Sequence, residues 1–324
     1  MASSMSATLP PDMMSLRVSR AEEIAQGIFQ FELRHAENAE LPAFTCGSHI
    51  SVRTPGGLLR KYSLSNDPAE RDRYVIAVRR EANSRGGSES MARDLKAGDE
   101  LSVSAPRNDF PLVKSPAGYV LVAGGIGITP IISMIRHLKH DAASRFKLYY
   151  LTRSPKATAF LDELSGPEYR GKVVIHHDGG DPHKAFDLWP VFEQPRGHFY
   201  CCGPRGLMEA VRDMSGHWPS SAAHFEAFTE AEARRESDKS FRVKLARSGA
   251  TIDVPPGTTI LEAIRASGYD AASSCESGTC GTCRTRLLAG EADHRDLVLA
   301  DYEKSSNIMI CVSRALTDEI EIDR

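Results

Sequence analysis

The chain of 324 residues has no run approaching the ~18 consecutive apolar residues that a membrane-crossing helix requires, which sets a membrane-spanning class aside. It also lacks a surplus of either charge: 40 Lys+Arg face 43 Asp+Glu, a formal net of −3. A protein that tracks nucleic-acid phosphates carries a basic excess, so nucleic acid is not an expected partner. Met1–Ser15 has neither the basic patch nor the apolar core of an export signal. It reads as a flexible leader, and a cytoplasmic location is expected. Seven cysteines, an odd number without such a signal, do not read as a disulfide framework. With 41% hydrophobic and 26% charged residues the composition is that of a folded chain, and at ~150 residues per domain its length suits two or three domains.

Four of the seven cysteines fall in the last 50 residues. Cys275, Cys280 and Cys283 are spaced C-x4-C-x2-C, and Cys311 follows 28 residues later. This is the plant-type spacing of a [2Fe–2S] cluster. Three thiolates must wrap the cluster from one tight loop, and Gly278 and Gly281 let that loop turn and approach without a Cβ in the way. A structural zinc site is the competing reading, but zinc sites generally show two short Cys pairs. No Cys-x-His pair occurs, and His294 reads as a surface or hydrogen-bonding residue. Upstream, Phe241–Leu245 and Ala250–Val254 alternate like paired strands about Ser248-Gly249. Thr259 and Glu262 then form a capping-box signature, opening a helix with Ile260, Leu261 and Ile264 inward. Strands, helix and cysteine loop resemble a plant-type ferredoxin of β-grasp (α+β) fold over residues 241–324, where 10 basic residues face 13 acidic ones.

In the middle of the chain, Tyr119–Ala123 reads as a buried strand running into Gly124-Gly125-Ile126-Gly127-Ile128-Thr129-Pro130. Ile131, Ile132, Ile135 and Leu138 then follow at helical spacing. A strand, a glycine turn and a helix N-terminus make a pyrophosphate site, because free N–H groups and the positive end of the dipole face the anion. Such a turn can equally be a plain strand–helix connection. Phe146–Leu151, Lys172–His176 and His198–Cys202 are further strands separated by helical stretches. That alternation predicts an open parallel α/β sheet with ligands at the strands' carboxyl ends, where Cys202-Gly203-Pro204 sits. Cys201 points the other way, into the core.

Before Pro106 the chain shows short alternating runs (Leu16–Ser19, Ile28–Leu33, His49–Val52, Lys61–Leu64, Tyr74–Val78 and Leu101–Ser104), as in a small antiparallel barrel. Arg60 and Tyr62 share one strand face, and Ser63 opposes them. Arg85-Gly86-Gly87-Ser88 opens a helix ending near Leu95, a second anion-ready N-terminus.

Together these pieces resemble the ferredoxin reductase-like flavoproteins. Arg60-x-Tyr62-Ser63 matches the family's flavin signature, Gly86-Gly87-Ser88 its flavin phosphate loop, and Gly124-Gly125-x-Gly127-x-Thr129-Pro130 its nicotinamide turn. Cys202-Gly203-Pro204 and Glu226-Ala-Phe228 match its C-G-P and terminal E-x-F. The order barrel, nucleotide domain, ferredoxin is similar to that of the phthalate dioxygenase reductase subgroup, which uses FMN. The resemblance implies a leader over 1–15, a flavin barrel over 16–113, a nucleotide domain over 114–228, a charged linker over 229–240 and the ferredoxin over 241–324.

It further implies that Arg60 and Ser88, with the Gly86 and Gly87 amides, hold the FMN phosphate. Tyr62 would pack on the ring, Ser63 would hydrogen-bond near N5, and the Ala77-Val78-Arg79 backbone would meet the pyrimidine edge. Gly125, Gly127, Thr129 and Gly203 would position NADH, with Cys202 near the nicotinamide and Phe228 over the flavin. Cys275, Cys280, Cys283 and Cys311 would ligate the cluster. NADH gives two electrons as hydride and a [2Fe–2S] cluster takes one, a mismatch that flavin chemistry bridges; no acid–base pair is required. The implied partner is a separate Rieske-type oxygenase, phthalate dioxygenase first and an aromatic O-demethylase as the alternative, served by a monomer. A redox sensor would need an output module, and none is left over. Arg153 and Lys156 leave NADH against NADPH open on residues alone.

Overall fold

The computed structural model describes residues 13–81, 86–141, 144–228, 235 and 237–324. Most of the leader and most of the 229–240 stretch lie outside the described residues. The chain divides into two compact units: residues up to Pro204 with Met214–His224, and Arg205–Asp213 with Phe225–Arg324.

The first unit begins with strands β1 (Met13–Ala25), β2 (Ile28–Arg34), β3 (Ser48–Arg53), β4 (Leu59–Ser63), β5 (Tyr74–Arg79), β6 (Glu100–Ser104) and the short β7 (Arg107–Asn108). They form one antiparallel sheet in the order β4-β3-β6-β1-β2-β5, with β7 beside β3. An antiparallel bridge between Leu64, just past β4, and Ile76 of β5 links the two ends of this order into a barrel. Alternation decides what fills it: Leu16, Val18, Phe31, Leu33, Ile50, Val52, Ile76 and Val103 are all essentially buried. Helix α1 (Gly87–Asp94) caps the barrel and contributes Met91 to the same core.

Strands β8 (Tyr119–Gly124), β9 (Phe146–Thr152), β10 (Val173–His177), β11 (His198–Cys202) and β12 (Ala223–Glu226) form the second sheet, in the order β10-β9-β8-β11-β12. The β10–β9, β9–β8 and β8–β11 pairs are parallel. Helix α2 (Ile128–Leu138) is apolar on nearly every side and buried, as its run of isoleucines requires. The other connections carry less helix than the strand–helix alternation suggests. Helices α3 (Leu161–Leu164) and α4 (Trp189–Phe192) are single turns. Pro155, Pro167, Pro182 and Pro190 break these stretches into short turns. Helix α5 (Arg205–Met214) restores a full amphipathic element.

The second unit holds β13 (Phe241–Leu245), β14 (Thr251–Val254), helix α6 (Ile260–Ala266), β15 (Arg284–Ala289), β16 (Ala292–Asp293), β17 (Asn307–Met309), β18 (Arg314–Ala315) and β19 (Glu319–Ile322). The main sheet runs β14-β13-β19-β15-β17, and the β13–β19 pair is parallel among antiparallel neighbours. This is the β-grasp arrangement. The capping box forms as the sequence indicates: Glu262 N–H donates to Thr259 Oγ1 (3.1 Å) and Thr259 N–H to Glu262 Oε2 (2.8 Å). Ile260, Leu261 and Ile264 face inward.

Composition assigns residues 229–240 to solvent, yet Asp238 is buried. Its carboxylate accepts two hydrogen bonds from Arg295 (2.6 and 3.1 Å) and lies 3.7 Å from Arg314. Burial works to raise the Asp238 pKa, but these guanidinium contacts hold it below the usual carboxylate range. The chain is therefore tied to this unit before β13 begins. No helix among the described residues is long and apolar enough to cross a membrane.

Candidate functional site

Three places gather the residues singled out by the sequence. The first is the mouth of the barrel. On β4, Leu59 and Lys61 face solvent while Arg60 and Tyr62 are half-buried and Ser63 is buried. Tyr62 packs at the edge of the barrel core, and its phenol is pushed up to about 12 by burial, so it remains protonated and neutral. Helix α1 starts at Gly86, whose φ of 90° is left-handed, and no side chain caps it. A Cβ on Gly87 would come within 3.0 Å of Arg60 Nε and 3.1 Å of its Cγ. The Arg60 guanidinium therefore lies against the start of α1, and the helix dipole and a fixed cation coincide, which suits a phosphate group. Ser88 Oγ also sits at this start, where it accepts the Glu81 N–H (3.2 Å).

The second place is the carboxyl edge of the parallel sheet. Gly125–Gly127 forms a single 3-10 turn between β8 and α2. A Cβ on Gly127 would sit 2.2 Å from the Cys202 carbonyl oxygen and 2.8 Å from Gly203 N, so only glycine lets the turn close against the end of β11. That contact brings together the glycine turn and the C-G-P segment, 75 residues apart. The Thr129 hydroxyl donates to Ile126 O (3.1 Å), bracing the same turn. Cys202 is fully buried in the core it shares with Ala77 of β5 and Ile128 of α2. An ideal Cβ on Gly125 would lie 3.8 Å from Arg79 Nη1. Barrel strand β5, carrying Ala77-Val78-Arg79, is thus packed beside the glycine turn. Cys201 is wholly buried, and burial pushes its thiol well up. Glu226 is buried and Phe228 exposed.

Sequence reading missed how the barrel is fastened to α2. Ser133 Oγ donates to Asn66 O (2.8 Å) and Arg136 Nη1 to Ser65 O (2.7 Å). Asn66 in turn bonds Val75 N–H and Arg73 O. The polar Ser-Asn pair just past Arg60-x-Tyr62-Ser63 was the available signal.

The third place is the cysteine loop. Cys275 N–H donates to Cys280 Sγ (3.4 Å), and Ser277 N–H to Cys275 Sγ (3.4 Å). A hydrogen bond from the Cys280 thiol holds Cys275 well below the ordinary thiol value, and the same bond raises Cys280. Cys283 is lowered, and Cys311 raised, by the corresponding contact between them. The thiolate is the form that binds iron. No three His, Cys, Asp or Glu side chains among the described residues converge on a single-ion site. Two pairs are what a [2Fe–2S] cluster with two thiolates per iron asks for, so the donor set fits that group. Glycine at 278 lets the loop pass: a Cβ there would meet Val312 Cγ2 at 2.7 Å. His294 is not part of this set; its Nε2 lies 3.0 Å from Lys304 O.

One stretch of this chain is built to present a nucleotide-sized anion at a sheet edge and another to hold two irons, which together define an iron–sulfur oxidoreductase linked to a pyridine nucleotide. Residues 121–213 match the oxidoreductase NAD-binding domain and residues 243–316 the 2Fe-2S iron-sulfur cluster binding domain. The chain is 54% identical over 322 residues, 99% of each chain, to the phthalate 4,5-dioxygenase reductase subunit of Pseudomonas putida. It is 52% identical to phthalate dioxygenase reductase of Burkholderia cepacia, covering 96% of this chain and 97% of that one. A solved structure of phthalate dioxygenase reductase, described as a modular structure for electron transfer from pyridine nucleotides to [2Fe-2S], superposes with a TM-score of 0.71 at 51% identity. It covers 96% of this chain and 98% of its own. The chain belongs to the phthalate dioxygenase reductase family.

Proposed function

We propose that this protein carries electrons from NADH through FMN and a [2Fe–2S] cluster to a Rieske-type aromatic-ring oxygenase, with phthalate dioxygenase as the first partner to test, and that it does so as a monomer. The observation that carries the reading is the packing of β5 beside the Gly125–Gly127 turn, with Ala77 and Cys202 in one core. A flavin edge laid along Ala77-Val78-Arg79 and a nicotinamide laid on the glycine turn would then be neighbours on one rigid scaffold, as hydride transfer requires.

FMN, when bound, supplies the exchange of one electron pair for two single electrons. The chain's own residues do the rest. Arg60, Ser88 and the Gly86 and Gly87 amides hold the phosphate, Tyr62 packs on the ring and Ser63 hydrogen-bonds near N5. Gly125, Gly127, Thr129 and Gly203 place the nucleotide, Cys202 lines the nicotinamide end, and Phe228 covers the flavin when no nucleotide is there. Cys275, Cys280, Cys283 and Cys311 would ligate the [2Fe–2S] cluster. A flavin domain spans 16–113, a nucleotide domain 114–228 and the ferredoxin 241–324.

The test is anaerobic mixing of the purified, loaded protein with NADH, followed by addition of phthalate dioxygenase, phthalate and then dioxygen. Flavin bleaching, then cluster reduction, then hydroxylated product in proportion to NADH consumed is the expected sequence. A flavin that NADH does not bleach, or a reduced cluster from which no Rieske oxygenase draws electrons, overturns the reading.

A further inference from the structure

The cysteine loop contains a backbone conformation that its own sequence does not favour. Glu276, directly after Cys275, has a φ of 56°. This left-handed region crowds any residue with a Cβ, and glutamate has no local side-chain bond that eases it as asparagine does. The turn at Glu276 is what presents the Ser277 N–H to Cys275 Sγ at 3.4 Å. Something outside the loop must hold it.

That something is Arg265, on helix α6. Its Nη1 donates to Glu276 Oε1 (2.8 Å), while Nη2 donates to Ala271 O (3.0 Å) and Ser273 Oγ (2.5 Å). The Ser273 hydroxyl donates onward to Glu276 Oε1 (2.5 Å). One planar guanidinium thus ties three points of the loop's entry to a helix fixed by its capping box. The ion pair is partly exposed, with side chains 44% and 32% accessible, so its worth lies in geometry more than in stability.

We propose that Arg265 is a positioning residue for the iron–sulfur centre: through Glu276 and Ser273 it holds the loop in its left-handed turn, and so keeps the Ser277 amide on the sulfur of Cys275. This rests on the cluster assignment above. An amide that bonds a ligating sulfur favours the reduced, more negative cluster, so loss of the clamp lowers the reduction potential without removing a ligand.

The test is an EPR-monitored redox titration of the full-length, cluster-loaded protein, with iron release to a chelator as a second measurement. Arg265→Lys keeps the charge but cannot span three acceptors. It is expected to weaken cluster reduction about tenfold, a fall of about 59 mV for one electron, and to speed iron release several-fold. Glycine adopts positive φ unaided, so Arg265→Lys made in a Glu276→Gly background should cause no further fall. Glu276→Ala compared with Glu276→Gly repeats the test independently of Arg265: both lose the carboxylate, and only alanine is strained, so alanine should titrate lower. A loaded Arg265→Lys protein that titrates like the parent, a fall that persists in the Glu276→Gly background, or equal potentials for Glu276→Ala and Glu276→Gly would overturn the proposal. A parent protein purified without iron would instead overturn the cluster assignment beneath it.

Discussion

The glycine turn of the parallel sheet and the cysteine loop of the β-grasp unit solve opposite problems. At Gly127 the site is made by a missing atom, since a Cβ there would lie 2.2 Å from the Cys202 carbonyl. In the loop the site is made by side chains, four sulfurs in two pairs, and the backbone is bent to serve them. The contrast follows from the ligands. A pyrophosphate is recognised by backbone amides and a helix dipole, which every sequence has, so the sequence need only clear the space. Iron is recognised by thiolates, so the sequence must supply them and then fold the chain around them.

The comparison can be broken at the loop first. Cys311→Ala removes a buried sulfur and should abolish the cluster, seen as loss of iron and sulfide, while NADH still bleaches the flavin. Asp238→Ala takes one carboxylate from buried Arg295, which keeps Asp293 (2.5 Å), and leaves Arg314 its backbone carbonyl partners at Lys239 and Pro255. The cost should fall below the about 3–5 kcal/mol of a buried pair broken outright, to be read as an earlier urea unfolding of the iron–sulfur unit. At the turn, Gly127→Ala should leave flavin and iron in place but slow flavin reduction by NADH about 100-fold, the scale of an ångström-sized misplacement, measured by stopped flow.

A smaller effect distinguishes the first unit by pH. His224 stacks on Tyr200 (centroids 4.3 Å apart), and its Nε2 lies 2.9 Å from His198 Nδ1. Burial, and then the neighbouring His198, push its pKa down to about 4. The unfolded chain takes up that proton below about pH 6.5, so the folded form is stabilised above that pH and loses this contribution as pH falls from about 6.5 to about 4. His224→Phe should flatten the urea midpoint over that window. The smallest effect is at Gly87→Ala, where the Cβ meets the movable Arg60 side chain at 3.0 Å. The guanidinium can swing aside, so only a few-fold weaker FMN binding is expected, on the scale of about 1 kcal/mol.

Local chemistry made much of this legible in advance. The strands of the barrel and of the parallel sheet follow from alternation and apolar runs, and α6 from its capping box. The short α3 and α4 were less legible, because prolines within apolar stretches cut the helices without erasing the pattern. The fastening of Asp238 to Arg295 was not legible at all, and that of Asn66 to Ser133 showed only as a polar Ser-Asn pair with no visible partner. Each joins polar residues about 57–67 positions apart, and no local signal tells a solvated charge from one that folding will bury.

By itself the sequence determined which groups are available: a glycine turn before a helix, an arginine and a tyrosine on one strand face, four cysteines at cluster spacing. These are properties of neighbours in the chain, where φ, ψ and alternation govern. Only the tertiary structure decided that Gly127 closes on Cys202, that Arg60 meets the start of α1, that Cys311 pairs with Cys283, and that Arg265 holds Glu276 in a turn that glutamate disfavours. Those are contacts between segments, chosen by which packing of the whole chain buries its apolar surface while leaving each buried charge a partner.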